Sequence, residues 1–142
     1  MSESLDYRKS RSLLEAARVA RLATHNPRGG IDLVPCTFAL VDVDTIVTAV
    51  DHKPKRTTQL QRLENIRRNP SVTVLVDHYD DDWSALWWVR ARGDARVVDD
   101  PTADVIAPLV AKYEQYRDHP PAGAAIVIRV TDLHGWAAGS GD

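Results

Sequence analysis

The stretch that decides the fold is ALWWVRARGDARVV, residues 85–98, because its side chains alternate over the length of a long strand. The alternation separates an aromatic and basic set from a more apolar set: Leu86, Trp88, Arg90 and Arg92 on one face, and Trp87, Val89 and Ala91 on the other. A period of two residues is typical of a β-strand. Gly93 interrupts the alternation and predicts a bulge or bend at that point.

Five shorter stretches around it also predict strands, at residues 19–24, 31–41, 45–50, 72–76 and 125–133. Residues 25–30 supply the asparagine, proline and glycines of a hairpin turn between the first two of these strands. Pro35 lies within the second one. Since proline cannot donate to a ladder, Pro35 favours an edge strand, a bulge or a kink.

Three helices are predicted between the strands. Residues 7–18 are amphipathic, residues 58–68 begin with the capping signature of Thr58 and Gln61, and residues 101–117 follow an acidic cap. Six short strands with near-neighbour connections, and helices at the joints, favour a mainly β (α+β) fold. The expected architecture is a six-stranded antiparallel β-barrel with peripheral helices, formed by residues 1–142 as one domain.

The composition restricts the classes of protein to which the chain can belong. Its 142 residues are 44% hydrophobic and 27% charged, with a formal net charge of −2, as in an ordinary soluble domain. Cys36 is the single cysteine, so neither an internal disulfide nor a cysteine zinc site is expected. The sequence lacks the ~20 apolar residues of a membrane span and the apolar core of a signal peptide, which predicts a cytoplasmic protein.

A basic cluster lies between the third predicted strand and the second predicted helix. Lys53, Lys55 and Arg56 precede the helix start, where unpaired backbone N–H groups carry partial positive charge. Cations beside such a helix end can bind phosphate without a glycine-rich loop. A solvated basic loop is the alternative, and the position at the junction is what favours an anion site. The net charge of −2 makes nucleic acid a minor alternative.

A second candidate site lies on the long strand. Trp88, Arg90 and Arg92 share a face, so an aromatic surface and two guanidiniums can hold a planar anionic ligand. The alternative is one tryptophan in the core, with the arginines as surface charges. Cys36 falls within a predicted strand, which favours a small buried apolar residue over a nucleophile. The sequence contains neither a nucleophile-elbow motif nor a spacing typical of metal ligands.

Four segments, in this order and spacing, resemble a known family: residues 14–24, 32–39, 53–57 together with 63–72, and 88–98. They are similar to the opening helix and strand, the proline-containing second strand, the phosphate turn with its helix, and the long fifth strand of the flavin- and deazaflavin-binding split β-barrel proteins. The chain resembles the pyridoxamine 5'-phosphate oxidase-like group, and within it the small actinobacterial members that use coenzyme F420. The implied fold is a split β-barrel of the FMN-binding type.

The resemblance also implies a cofactor site at the interface of a homodimer, where the tricyclic ring lies between two barrels. The family's cofactor contacts fall in three groups on this chain: the phosphate turn at Lys53, Lys55, Arg56 and Thr57, the ring contacts at Pro35, Cys36 and Thr37, and the fifth-strand wall at Trp88 and Arg90. Arg62 or Arg92 would suit the several carboxylates of the oligoglutamate tail of F420.

The implied function is that of an F420-dependent oxidoreductase. A reduced deazaflavin transfers a hydride to an electrophilic double bond of a small molecule, and the protein binds and orients the reactants. The sequence identifies no protein acid or base for this reaction. An FMN-dependent oxidoreductase of the same fold is one alternative, and a non-catalytic protein that binds F420, a flavin or a tetrapyrrole is another.

Overall fold

A computed structural model describes residues 2–50 and 57–139 of the chain. Within them, eight strands form one antiparallel sheet: β1 (Ser2–Leu5), β2 (Ala20–His25), β3 (Ile31–Cys36), β4 (Ala39–Leu40), β5 (Thr45–Ala49), β6 (Ser71–His78), β7 (Trp87–Val98) and β8 (Ala125–Ala138). The strands follow the order β3-β2-β6-β7-β8-β5-β4, and β1 also pairs with β8. The sheet curls into the half-barrel of a split β-barrel, which confirms the predicted fold class.

The described sheet has eight strands rather than the predicted six. One added strand is β1, a polar stretch without the alternation that marks a strand in sequence. The other is β4, which arises because the strand predicted at residues 31–41 breaks after Cys36. At the break, the Thr48 hydroxyl donates to the Thr37 carbonyl at 2.6 Å, and the Phe38 N–H donates to the Tyr113 hydroxyl at 3.2 Å. At this break, the backbone groups of Thr37 and Phe38 therefore pair with side-chain hydroxyls instead of with the backbone of a neighbouring strand.

The long strand is confirmed with its bulge. β7 pairs with β8 from Trp87 to Val98, and the register shifts between Arg92 and Gly93. The backbone of Arg129 passes so close to Gly93 that a Cβ atom would not fit there. Pro35 lies on β3, which pairs only with β2 among the described strands and is therefore an edge, as predicted. β8 continues to Ala138, beyond the predicted end at residue 133.

Four helices connect the described strands: α1 (Tyr7–Ala16), α2 (Thr57–Arg68), α3 (Ala103–Lys112) and α4 (Gln115–Asp118). The first two agree with the prediction to within about two residues. The single helix predicted at residues 101–117 is wrong, because the backbone is extended at Tyr113. The buried Tyr113 side chain explains the break. Its hydroxyl donates to the Arg18 carbonyl at 2.9 Å, which holds the chain at Tyr113 against the segment that precedes β2.

Helix α2 is fixed to the sheet by a buried polar network. Asn65 is fully buried, and its amide nitrogen donates to the Thr24 hydroxyl at 3.0 Å and to the Asp32 carboxylate at 2.8 Å. Its amide oxygen accepts from Gln61 at 2.8 Å. Because buried amides are costly to leave unpaired, these bonds define how α2 sits on β2 and β3. None of the described helices is both long and apolar enough to cross a membrane.

Candidate functional site

The sheet has an outer face that lacks a covering layer among the described residues. Core side chains such as Leu22, Val74 and Val89 occupy the inner face, while the alternate positions point outward. Ile31 and Leu33, which lie on this outer face at the β3 edge, are 57% and 64% exposed. Two clefts open beside these strands, and the predicted site residues that the structure describes are divided between them.

The first, here called the strand-end cleft, has a volume of about 310 Å³ and is lined by Pro35, Cys36, Thr37, Arg62 and Tyr116, with Val19 and Ala49. Pro35 to Thr37 come from the end of β3, and Arg62 comes from α2. The hydroxyls of Thr37 and Tyr116 are 2.8 Å apart. The structure therefore brings together the three ring contacts that the resemblance implies and Arg62. Lys53, Lys55 and Arg56 lie outside the described residues, and Thr57 begins α2.

Among its described lining residues, the strand-end cleft carries one positive charge, that of Arg62. Burial lowers the pKa of Arg62 from its usual value, although the guanidinium remains protonated at neutral pH. Its Nε atom is buried and has no hydrogen-bond partner among the described residues. Burial raises the pKa of the Cys36 thiol, so the thiol is neutral. Cys36 packs against the core, which agrees with the prediction of a small apolar residue rather than a nucleophile.

An unpaired buried donor such as the Arg62 Nε–H has a free-energy cost of about 1–3 kcal/mol. A phosphate or carboxylate oxygen at this point would remove that cost and would balance the charge. The hydroxyls of Thr37 and Tyr116 supply further polar contacts in the same cleft. The arrangement therefore suits an anionic group of a ligand.

The second, here called the outer-face cleft, has a volume of about 650 Å³ and includes Arg21, Leu33, Leu75, Trp88, Arg90 and Trp136 in its lining. The strand register explains the grouping. Arg21, Leu75, Arg90 and His134 are successive partners across four strands, and Asp77, Trp88 and Trp136 form the neighbouring row. Trp88 and Arg90 thus share a face, as predicted, whereas Arg92 is exposed and lines neither cleft.

The Arg90 side chain is held against the Trp88 ring. Its guanidinium carbon lies 5.5 Å from the Trp88 ring centroid, and the His134 ring contacts Trp88 at a centroid distance of 5.4 Å. The Nε atom of Arg90 is buried and has no hydrogen-bond partner among the described residues. Arg21, by contrast, lies 3.9 Å from the Asp77 carboxylate. Among the described residues, the outer-face cleft is therefore an aromatic surface with one guanidinium, that of Arg90, that has no carboxylate beside it.

The two clefts are neighbours. Arg21 lines the outer-face cleft, Pro35 lines the strand-end cleft, and these two residues are directly paired between β2 and β3. Sequence reasoning missed Arg21 and Trp136. The alternation of Arg21 and Ala23 with buried Leu22 could have placed Arg21 on the outer face. Trp136 was missed because the last strand was predicted to end at residue 133, whereas it continues to Ala138.

Among residues 2–50 and 57–139, the structure has no cluster of three or more histidine, cysteine or acidic side chains that could hold a metal ion. His78 stacks on Trp87 at 6.2 Å, and its Nε2 atom lies 3.9 Å from Asp80.

The sequence and its fold match a known family of proteins. The sequence model described as pyridoxamine 5'-phosphate oxidase matches residues 8–137, and the chain belongs to this family. A search of curated proteins finds no match.

Solved structures share the fold at low sequence identity. A conserved hypothetical protein from Mycobacterium tuberculosis is 21% identical with a TM-score of 0.75, over 94% of this chain and 86% of that one. The FAD binding protein from Mycobacterium smegmatis is 18% identical with a TM-score of 0.62, over 96% and 97% of the two chains. A heme binding protein from Mycobacterium smegmatis is 18% identical with a TM-score of 0.71, over 96% of this chain and 55% of that one.

Proposed function

We propose that the chain is an oxidoreductase that binds a phosphorylated flavin-type cofactor, with coenzyme F420 as the first candidate and FMN as the alternative. One observation carries the proposal: Pro35, Cys36 and Thr37 lie in one cleft with the guanidinium Nε of Arg62, which has no hydrogen-bond partner among the described residues. In sequence, the cations Lys53, Lys55 and Arg56 directly precede the helix that carries Arg62. Family membership and the similarity in fold to an FAD binding protein support a flavin-type cofactor.

The residues of the strand-end cleft fit the anionic part of such a cofactor. Arg62 would donate to phosphate or carboxylate oxygens, and the hydroxyls of Thr37 and Tyr116 would add neutral hydrogen bonds. The ring would then extend over the Arg21–Pro35 pair into the outer-face cleft, whose far wall includes Trp88 and Arg90. When bound, a reduced flavin or deazaflavin supplies a hydride. The chain would bind the reactants, orient them and exclude water.

F420 is favoured over FMN by the number of cations in and before helix α2. The oligoglutamate tail of F420 carries several carboxylates, and Arg62 lies on the helix that follows Lys53, Lys55 and Arg56 in sequence. Binding of a tetrapyrrole without catalysis is the second candidate. It is favoured by the contact of His134 with Trp88 and by the similarity in fold to a heme binding protein.

We further propose that the working unit is a cytoplasmic homodimer in which a second copy covers part of the outer face. The exposed apolar side chains of Ile31 and Leu33 support this pairing, because large exposed apolar patches mark interfaces. Sedimentation equilibrium of the purified chain tests it. A dimer at micromolar concentration is expected, and a monomer under those conditions would contradict it.

The cofactor is tested by separate titrations of the purified protein with F420, FMN and hemin, followed by quenching of tryptophan fluorescence. F420 is expected to bind most tightly. A clear preference for FMN would favour the alternative cofactor, and binding of hemin alone would favour the tetrapyrrole candidate. Turnover with reduced cofactor over enones, quinones and bilins then separates an enzyme from a cofactor carrier.

The anion site is tested with Arg62→Met, and Arg68→Met on the exposed side of α2 is the matched control. Loss of one charge-assisted contact predicts binding about tenfold weaker or worse for Arg62→Met. The control should bind like the unmodified chain. Equal affinities of all three proteins for F420 and FMN would remove Arg62 from the site.

A further inference from the structure

The outer-face cleft contains a buried donor that nothing among the described residues satisfies. The Nε atom of Arg90 is buried without a hydrogen-bond partner, and the guanidinium lies over Trp88. Contact with the ring limits the positions that the guanidinium can take. A ligand oxygen that accepts from Arg90 would therefore be held beside the Trp88 ring.

The charges around the cleft indicate how many anionic groups a ligand should carry. Arg21 already lies 3.9 Å from Asp77, and His78 lies 3.9 Å from Asp80. Among the described lining residues, Arg90 is the cation without a carboxylate beside it. One anionic group per ligand is thus balanced by the cleft. A second anionic group would lie near the Asp77 and Asp80 carboxylates.

The rest of the lining is mostly apolar. Leu75 lies between the two arginines in the strand register, and Trp88 and Trp136 are direct cross-strand partners. Such a surface favours a planar ring system through stacking and burial of apolar area. The volume of about 650 Å³ lies within the range of small-molecule sites and is large enough for two or three fused rings.

From these observations we infer that the outer-face cleft binds planar aromatic or conjugated molecules that carry a single carboxylate, and that Arg90 is the specificity-determining residue for that group. The inference rests on the proposed function in one respect: such molecules would be the substrate class of the oxidoreductase, lying between Trp88 and the cofactor ring. Binding of the carboxylate by Arg90 is a property of this chain, and it can be measured without any cofactor.

The test uses the full chain without added cofactor and two probes of the same shape, 2-naphthoate and 2-naphthamide, in isothermal titration calorimetry. The naphthoate is expected to bind about tenfold more tightly than the neutral amide, because only the carboxylate carries a negative charge that pairs with the Arg90 guanidinium. Arg90→Met should abolish this preference, so that the two probes bind with the same affinity. A urea unfolding midpoint close to that of the unmodified chain would show that the variant is folded.

The matched control is Arg92→Met, because Arg92 is on the same strand and face but is exposed and lies outside the cleft. It should retain the tenfold preference. Arg90→Lys keeps the charge without the planar guanidinium and should retain part of it. Equal affinity of the unmodified chain for the two probes would overturn the inference, as would no binding of either probe or equal losses in the Arg90 and Arg92 variants.

The failures of the two proposals are distinguishable. If 2-naphthoate binds as expected but F420 and FMN do not bind, the cleft and its specificity stand and the proposed function fails. If a cofactor binds but the naphthoate preference is absent, the proposed function stands and the substrate class is wrong.

Discussion

Replacing Asn65 by alanine tests how the strand-end cleft is built. Asn65 is fully buried, and its side chain makes three hydrogen bonds, to Thr24, Asp32 and Gln61. Each such bond contributes about 0.5–1.5 kcal/mol net, and the buried Thr24 hydroxyl would lose a partner. We therefore expect Asn65→Ala to lower the free energy of unfolding by about 2–4 kcal/mol.

The assay is equilibrium unfolding in urea at neutral pH, with Gln61→Ala as the control. Gln61 makes one bond of the network from the exposed side of α2, so its removal should cost about 1 kcal/mol or less. Since α2 carries Arg62, the Asn65 variant should also bind F420 and FMN more weakly. A loss below about 1 kcal/mol for Asn65→Ala would refute the view that this network fixes α2 on the sheet.

The network also predicts a pH dependence. Hydrogen bonds from Asn26 and then Asn65 lower the pKa of Asp32 below its ordinary value of 3.8. The folded state thus holds the Asp32 proton more weakly than the unfolded state does. The resulting stabilisation is fully present above pH 3.8 and is lost as the pH falls through the lowered pKa. Between pH 5 and pH 2, the free energy of unfolding should therefore fall by less in Asn65→Ala than in the unmodified chain. Urea unfolding curves of the two proteins over this pH range measure the difference.

Three further perturbations test other parts of the fold by the same unfolding assay. The Nζ atom of Lys112 lies 3.9 Å from the Phe38 ring centroid, and burial and the charge of Arg18 lower the Lys112 pKa to about 8. Because the folded state then loses this proton before the unfolded state does, the free energy of unfolding should rise as the pH increases from about 8 to 10.5. Because Lys112 is half-exposed, the gain should be only about 1 kcal/mol, and a Lys112→Met variant that kept the rise would contradict this assignment. Tyr113→Phe should destabilise by about 1–3 kcal/mol, since its hydroxyl bonds the backbone of Phe38 and Arg18; an unchanged urea midpoint would count against it. Gly93→Ala should destabilise by about 1–3 kcal/mol through overlap with Arg129, and a neutral result would exclude the close approach at the bulge.

The parts of the fold that the sequence predicted correctly are those with local signals. The alternation around Trp88, the bulge at Gly93 and the edge position of Pro35 each follow from the chemistry of one strand. The parts that were missed depend on contacts distant in sequence. The helix break at Tyr113 is one, because its hydroxyl pairs with Phe38 and Arg18, far along the chain.

The candidate site shows the same division. Residue chemistry suggested Trp88 with Arg90, and the resemblance suggested Pro35 to Thr37. The register that aligns Arg21, Leu75 and Arg90 across three strands is a property of the assembled sheet. The Nε atoms of Arg62 and Arg90 have no hydrogen-bond partner in the part of the chain that the structure describes, and this becomes evident only when burial and neighbouring side chains are known. Two separate but neighbouring clefts could therefore be recognised only in three dimensions.

The central claim is that the strand-end cleft holds the anionic part of a flavin-type cofactor. Its most direct test is the mapping of backbone amide chemical shifts by nuclear magnetic resonance while F420, and separately FMN, is added to the purified chain. We predict saturable shifts at Cys36, Thr37 and Arg62 with the preferred cofactor. Saturable binding that leaves these three amides unmoved, with shifts confined to other parts of the sheet, would contradict the claim.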